Sequence, residues 1–88
     1  MKLEERLLKR ISELVAINDH GGAIAVAARS LGLNDLADRV ASINLRHQRL
    51  GHLSPKLSAE RSAARAELMA FAKTAFSIAD FQRFRGVI

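Results

Sequence analysis

Apolar residues in this chain return every three or four positions, and no stretch alternates with a period of two. Side chains three or four apart share one face of an α-helix, whereas those two apart share one face of a strand. The pattern therefore points to an all-α fold. Breaks at Asn18-Asp19-His20-Gly21-Gly22, at Gly32, at Gly51 to Pro55 and at Ser77 divide the chain into a four- to five-helix bundle. One domain, residues 1–88, is expected. A chain of this length buries only roughly 60–65 % of the surface it exposes when unfolded, so its stability margin is thin.

The first helix is expected from about Lys2 to Ile17. Leu3, Leu7, Ile11 and Leu14 form its stripe, widened by Leu8 and Val15, with Lys2, Arg6, Lys9, Arg10 and Glu13 on the other side. So wide a stripe faces a globular core rather than a coiled-coil seam. Glu4 and Glu5 fall in its first turn, where the helix dipole favours negative charge. The second helix, about Gly22 to Leu31, carries Ala23-Ile24-Ala25-Val26-Ala27-Ala28, small enough on several faces to let neighbours approach closely. Gly32 stands where a terminating glycine belongs.

Asn34 is the expected cap of the third helix, with Asp35 and Asp38 near its positive end. The stripe of that helix is Leu36, Val40, Ile43, His47 and Leu50, with Leu50 closing it and Gly51 stopping it. Ser54-Pro55 opens the fourth and longest helix. Serine caps, and proline suits the first helical position because the N–H it lacks would be unpaired there. This helix runs to about Phe76, burying Leu57, Ala64, Leu68, Phe71 and Ala75, with Arg61 at the edge of the stripe. Ser77-Ile78-Ala79-Asp80 has the spacing of a capping box in its acidic form. The last helix is expected to turn Ile78, Phe81 and Phe84 inward.

The net charge of +5 is unevenly spread. Residues 1–45 hold six basic and six acidic side chains; residues 46–88 hold eight basic and three acidic ones. A basic half attracts anionic partners. The absence of cysteine excludes disulfides and thiolate metal sites and fits a reducing cytoplasm. His20, His47 and His52 lack zinc spacing. The N-terminal residues lack the apolar core of a signal peptide, and no apolar run nears the ~18 residues of a membrane span. The expected setting is cytoplasmic, with no membrane partner. Gly21-Gly22 lacks the Lys-Ser/Thr and the preceding strand of a phosphate loop. No nucleophile–base pair, paired carboxylates or metal cluster is visible, so a non-enzymatic protein without cofactor, metal or small-molecule substrate is expected.

A helix-turn-helix around Gly32 is disfavoured. Asp38 stands where the second helix needs an apolar residue, and Asp35 and Asp38 would present acid to phosphates. Contact with RNA or DNA through Arg46, Arg49, Arg61 and Arg65 stays open, although no aromatic is interleaved for base stacking.

The run Ser42, Asn44, Arg49-Leu50-Gly51-His52-Leu53-Ser54, followed by Glu60-Arg61, resembles the bacterial effector-associated domains of the eleventh type. In that family a helix carrying Ser-x-Asn leads through Arg-Leu-Gly-x-Leu-Ser into a helix that opens with a polar segment. The preceding Glu13-Leu14-Val15 to Ala27 is similar to the family's first two helices. The sequence departs from the pattern at Pro55-Lys56-Leu57, where an acidic or aromatic residue is usual.

The resemblance implies a death-domain-like bundle and an adaptor that joins effectors to signalling partners in bacterial defence or cell death. It also implies like-with-like contact with another copy or a similar helical domain. The expected contact residues are Arg46, Arg49, Arg61 and Arg65, facing Glu4, Glu5, Asp35 or Asp38 of the second copy. The alternatives are a small basic nucleic-acid-binding protein and a phage- or plasmid-borne inhibitor of a host protein.

Overall fold

A computed structural model describes residues 1–88 as five α-helices and no strand: α1 Glu5–Ala16, α2 His20–Ser30, α3 Asn34–Leu50, α4 Pro55–Ala75 and α5 Ile78–Val87. Successive helices pack on one another, and α5 closes the ring by packing on both α1 and α4. The alanine-rich α2 lies inside that ring, against α1, α3 and α4. Ala23, Ala27 and Ala28 are wholly buried there, as expected of side chains chosen for close approach rather than bulk. Ile11, Val40, Leu68 and Phe84 supply the volume around them. Phe84 stacks at a tilt on Phe76 with ring centroids 5.5 Å apart, an arrangement that adds about 0.5–1.5 kcal/mol beyond area burial.

The helix ends are made by local chemistry. At the end of α1, Asn18 takes a left-handed φ of 63°, and the N–H groups of Asn18 and Asp19 return to the carbonyls of Val15 and Leu14. At the end of α2, the N–H groups of Gly32 and Leu33 return in the same way to Arg29 and Ala28. Both closures satisfy carbonyls that the helix leaves unpaired. Asp19 caps α2 by accepting from the Gly22 N–H at 2.9 Å, Ser54 caps α4 through the Leu57 N–H at 3.2 Å, and Ser77 caps α5 through the Asp80 N–H at 3.2 Å.

Several sequence expectations are corrected. The first helix begins at Glu5, not near Lys2. Glu4 is extended, and the Leu3 N–H donates to Asp80 Oδ2 of α5 at 3.3 Å. Leu3 is thus buried as a non-helical anchor rather than as a stripe residue. Of the two acids placed in the first turn, only Glu5 lies within the helix. Gly21 and Gly22 are helical, and the left-handed residue of that break is Asn18. Asn34 is the first residue of α3 and makes no side-chain cap; Leu33 stands at the cap position.

Leu50 does not close a buried stripe. It is 54 % exposed, because α3 extends beyond the point where α2 begins: Gly21, in the first turn of α2, already lies against Asn44. Ile78 is 80 % exposed, and the inward positions of α5 are Phe84, fully buried, and Phe81, half-buried.

Candidate protein-interaction surface

Gly51 ends α3 in the left-handed region, its N–H donating to the His47 carbonyl at 3.0 Å, and Ser54-Pro55 starts α4. The chain thereby reverses into an antiparallel hairpin. Two ion pairs cross it. Arg46 meets Glu60 at 2.9 Å, and Arg39 grips Glu67 with both guanidinium nitrogens at 2.6 and 3.1 Å. The two rungs step by one heptad down α3 and one heptad up α4, a spacing that returns to nearly the same helix face. The hydrogen bonds from Arg39 hold the Glu67 carboxyl below its ordinary range; desolvation opposes them, and the charge of Arg39 adds a lesser push downward. The same bonds raise the Arg39 guanidinium. The hydrogen bond to Glu5 raises Arg83 likewise, helped by the charges of Glu5 and Asp80.

These pairings sort the eight residues singled out from the sequence. Arg46 is engaged by Glu60, Glu5 by Arg83 and Asp38 by Arg29. Arg49, Arg61, Arg65, Glu4 and Asp35 take part in none of the ion pairs. The hinge does not gather the four arginines into one face. Arg46 and Arg49, with Lys56, surround a shallow depression of about 310 Å³ over Leu50 and Leu57. Arg61 and Arg65 line a separate one of about 200 Å³, with His20, Ser62 and Ile88. The cause is helix geometry: Glu60 and Glu67 occupy the flank of α4 that meets α3, while Arg65 lies on the opposite flank.

The acids of the basic half are all consumed. Glu60, Glu67 and Asp80 each pair with an arginine, Asp80 with Arg83 at 3.7 Å. The charges of residues 46–88 left without a carboxylate are Arg49, Lys56, Arg61, Arg65, Lys73 and Arg85, all positive. Pairing therefore sharpens the asymmetry already present in the composition. On the other half, Glu4, Glu13, Asp19 and Asp35 remain outside the ion pairs.

Sequence reasoning missed the Arg39–Glu67 rung, although its spacing from Arg46 and Glu60 was a readable signal. It also missed Arg83 as the tether between α5 and the start of α1, for which a sequence offers no local cue. His47 is half-buried and makes no side-chain hydrogen bond, whereas His52 Nδ1 lies 3.2 Å from the Leu50 carbonyl oxygen. No group of three or more His, Cys, Asp or Glu converges as metal ligands would, and no helix is long and apolar enough to cross a membrane. A scan against protein-family models, a search of curated proteins and a search of solved structures return no match for this chain.

Proposed function

We propose that this chain is a non-enzymatic adaptor that binds another copy of itself, or a similar helical bundle, through oppositely charged faces. The observation that carries the reading is the charge left over after internal pairing: only cations on residues 46–88, against a balanced set on the other half, where Glu4, Glu13, Asp19 and Asp35 stand unpaired beside Lys2, Arg6, Lys9 and Arg10. Charges not spent on the fold are available for docking, where they set orientation and on-rate. The depression of Arg49, Lys56 and Leu50 is the preferred basic contact, because it sets an exposed leucine beside unpaired cations. A contact between unlike faces repeats into rings or filaments. The likeness of the Ser42–Pro55 hinge to the effector-associated domains supports placing the adaptor in a bacterial defence or cell-death system, with a death-domain-like fold.

Charge reversal at Arg49, and separately at Arg61, tests the reading by light scattering against concentration. Arg49→Glu should lower self-association with helicity intact. Unchanged association in both variants removes the surface. The same free cations suit a nucleic acid. That second reading predicts steeply salt-dependent binding to a duplex or single strand, because phosphate contacts release counterions.

A further inference from the structure

The largest concavity on the molecule, about 610 Å³, runs between α1 and α2 and ends against Phe76. Its floor is apolar: Leu7 and Val26 are half-buried, and Leu31 and Phe76 are buried. A shallower depression shares Val26 and Ser30 and continues the apolar floor over Ala25 along α2. The rim is cationic. Lys2, Arg6 and Arg10 stand around the groove against one acid, Glu4, and none of the three joins an ion pair.

Folding alone does not account for that rim. Arg6 lies in the first turn of α1, where the helix dipole disfavours positive charge. It also lies four residues before Arg10, and like charges at that spacing repel. A local rule broken twice, beside uncovered apolar surface, marks a place where the sequence answers to something other than the bundle.

We propose that this groove seats an amphipathic helix of a partner protein, its apolar side chains on Leu7 and Val26 and its flanking carboxylates on Arg6 and Arg10. A helix laid in a groove between two helices offers apolar anchors at three- and four-residue spacing, and acids beside them match the rim. The site shares only Glu4 with the like-with-like surface, so it stands or falls separately.

The test uses the full chain, labelled with ¹⁵N, and a synthetic peptide of about 15 residues, long enough for helical turns to span the groove. The peptide carries Leu at three- and four-residue spacing and Glu elsewhere. A second peptide replaces Glu with Lys, and phosphatidylglycerol vesicles form a third arm. The Glu peptide should move the amide signals of Leu7, Arg10, Val26 and Leu31 and should gain helicity. Its affinity should fall about tenfold or more in Arg6→Glu/Arg10→Glu, the scale of losing well-placed charge contacts. Both arginines are exposed, so the double variant should keep native helicity. Val26→Asp should weaken binding by spoiling the floor without touching the rim. Shifts that map elsewhere, no shifts at all, equal binding of the Lys peptide, or preferential binding of vesicles each overturn the proposal, the last assigning the groove to a membrane surface.

Discussion

The side-chain oxygen of Asn44 on α3 lies 1.9 Å from the point where a Cβ on Gly21 of α2 would stand. No carbon fits at that distance, so an alanine at position 21 would have to displace the Asn44 side chain, to which the three nearest atoms all belong. Gly21→Ala is expected to cost about 1–3 kcal/mol by overpacking, offset by the ~0.5–1 kcal/mol that alanine gains over glycine in a helix. With Asn44→Ala the obstacle is gone, and Gly21→Ala should turn stabilising by up to about 1 kcal/mol. Urea unfolding of the four proteins measures the coupling. Additive effects would mean that Asn44 swings aside freely.

Phe84 and Ile78 face opposite fates on one short helix. Phe84 is fully buried against Phe76, and Phe84→Ala should cost about 3–5 kcal/mol, much of the stability of a domain this small. Ile78 is exposed, and Ile78→Ser should change stability by no more than about 0.5 kcal/mol. Thermal melts of the two variants read the contrast. Comparable losses would show that α5 packs on its other face.

The Arg39–Glu67 rung makes stability depend on pH in a defined direction. Arg39 holds the folded Glu67 carboxyl below its unfolded value of about 4.3, so the protonated form is favoured more in the unfolded chain. The contribution is fully present above that value and is lost as pH falls through the folded one. Urea midpoints of the native chain and of Glu67→Gln should differ by a constant amount at neutral pH and converge in acid. A difference that persists at the lowest pH at which both remain folded would assign the effect of Glu67→Gln to packing. Both partners are exposed, so added salt should shrink the neutral difference.

Ser54 holds the start of α4 through the Leu57 N–H, beside a proline that cannot itself cap. Ser54→Ala should cost about 0.5–2 kcal/mol, whereas Ser54→Asp should retain most of the stability because its carboxylate can accept the same bond. Equal loss in both variants would place the role of Ser54 in packing.

Most of the helix punctuation was legible in the sequence. Gly32, Gly51, Ser54-Pro55 and Ser77 stand where caps and stops need them, because these ends are decided by backbone chemistry within a few residues. Burial was legible wherever a helix had a neighbour along its whole length, as at Leu36, Val40, Ala64 and Leu68. It failed where periodicity outran the neighbour. Leu50 continues the stripe of α3 beyond the start of α2, and Ile78 opens α5 on the outer side. Leu3 was misplaced because its partner, Asp80, lies 77 residues away. That Arg46 and Arg49 line one depression and Arg61 and Arg65 another was not legible for a related reason: short spacing across a turn says nothing about which flank of α4 meets α3. The apolar groove of Leu7, Val26 and Phe76 was not readable at all, since it exists only once α1, α2 and the end of α4 are assembled.

Ile43 and Leu57 are buried, yet both lie outside the continuous cluster that runs from Leu3 to Phe84. The distal part of the α3–α4 hairpin therefore lies outside that cluster and is crossed by the Arg46–Glu60 pair. Such a segment can open while the rest of the bundle stays closed. Amide protons in the last turn of α3 and the first of α4 should then exchange with solvent through a cheap local fluctuation, while those around Ile11 and Leu68 wait for global unfolding. Arg49 and Lys56 sit on that tip, so a partner that clamps it would restrain such motion as well as match charge. Part of the cost of binding is the entropy of that restraint, and a stiffer hinge would bind with less of it to lose.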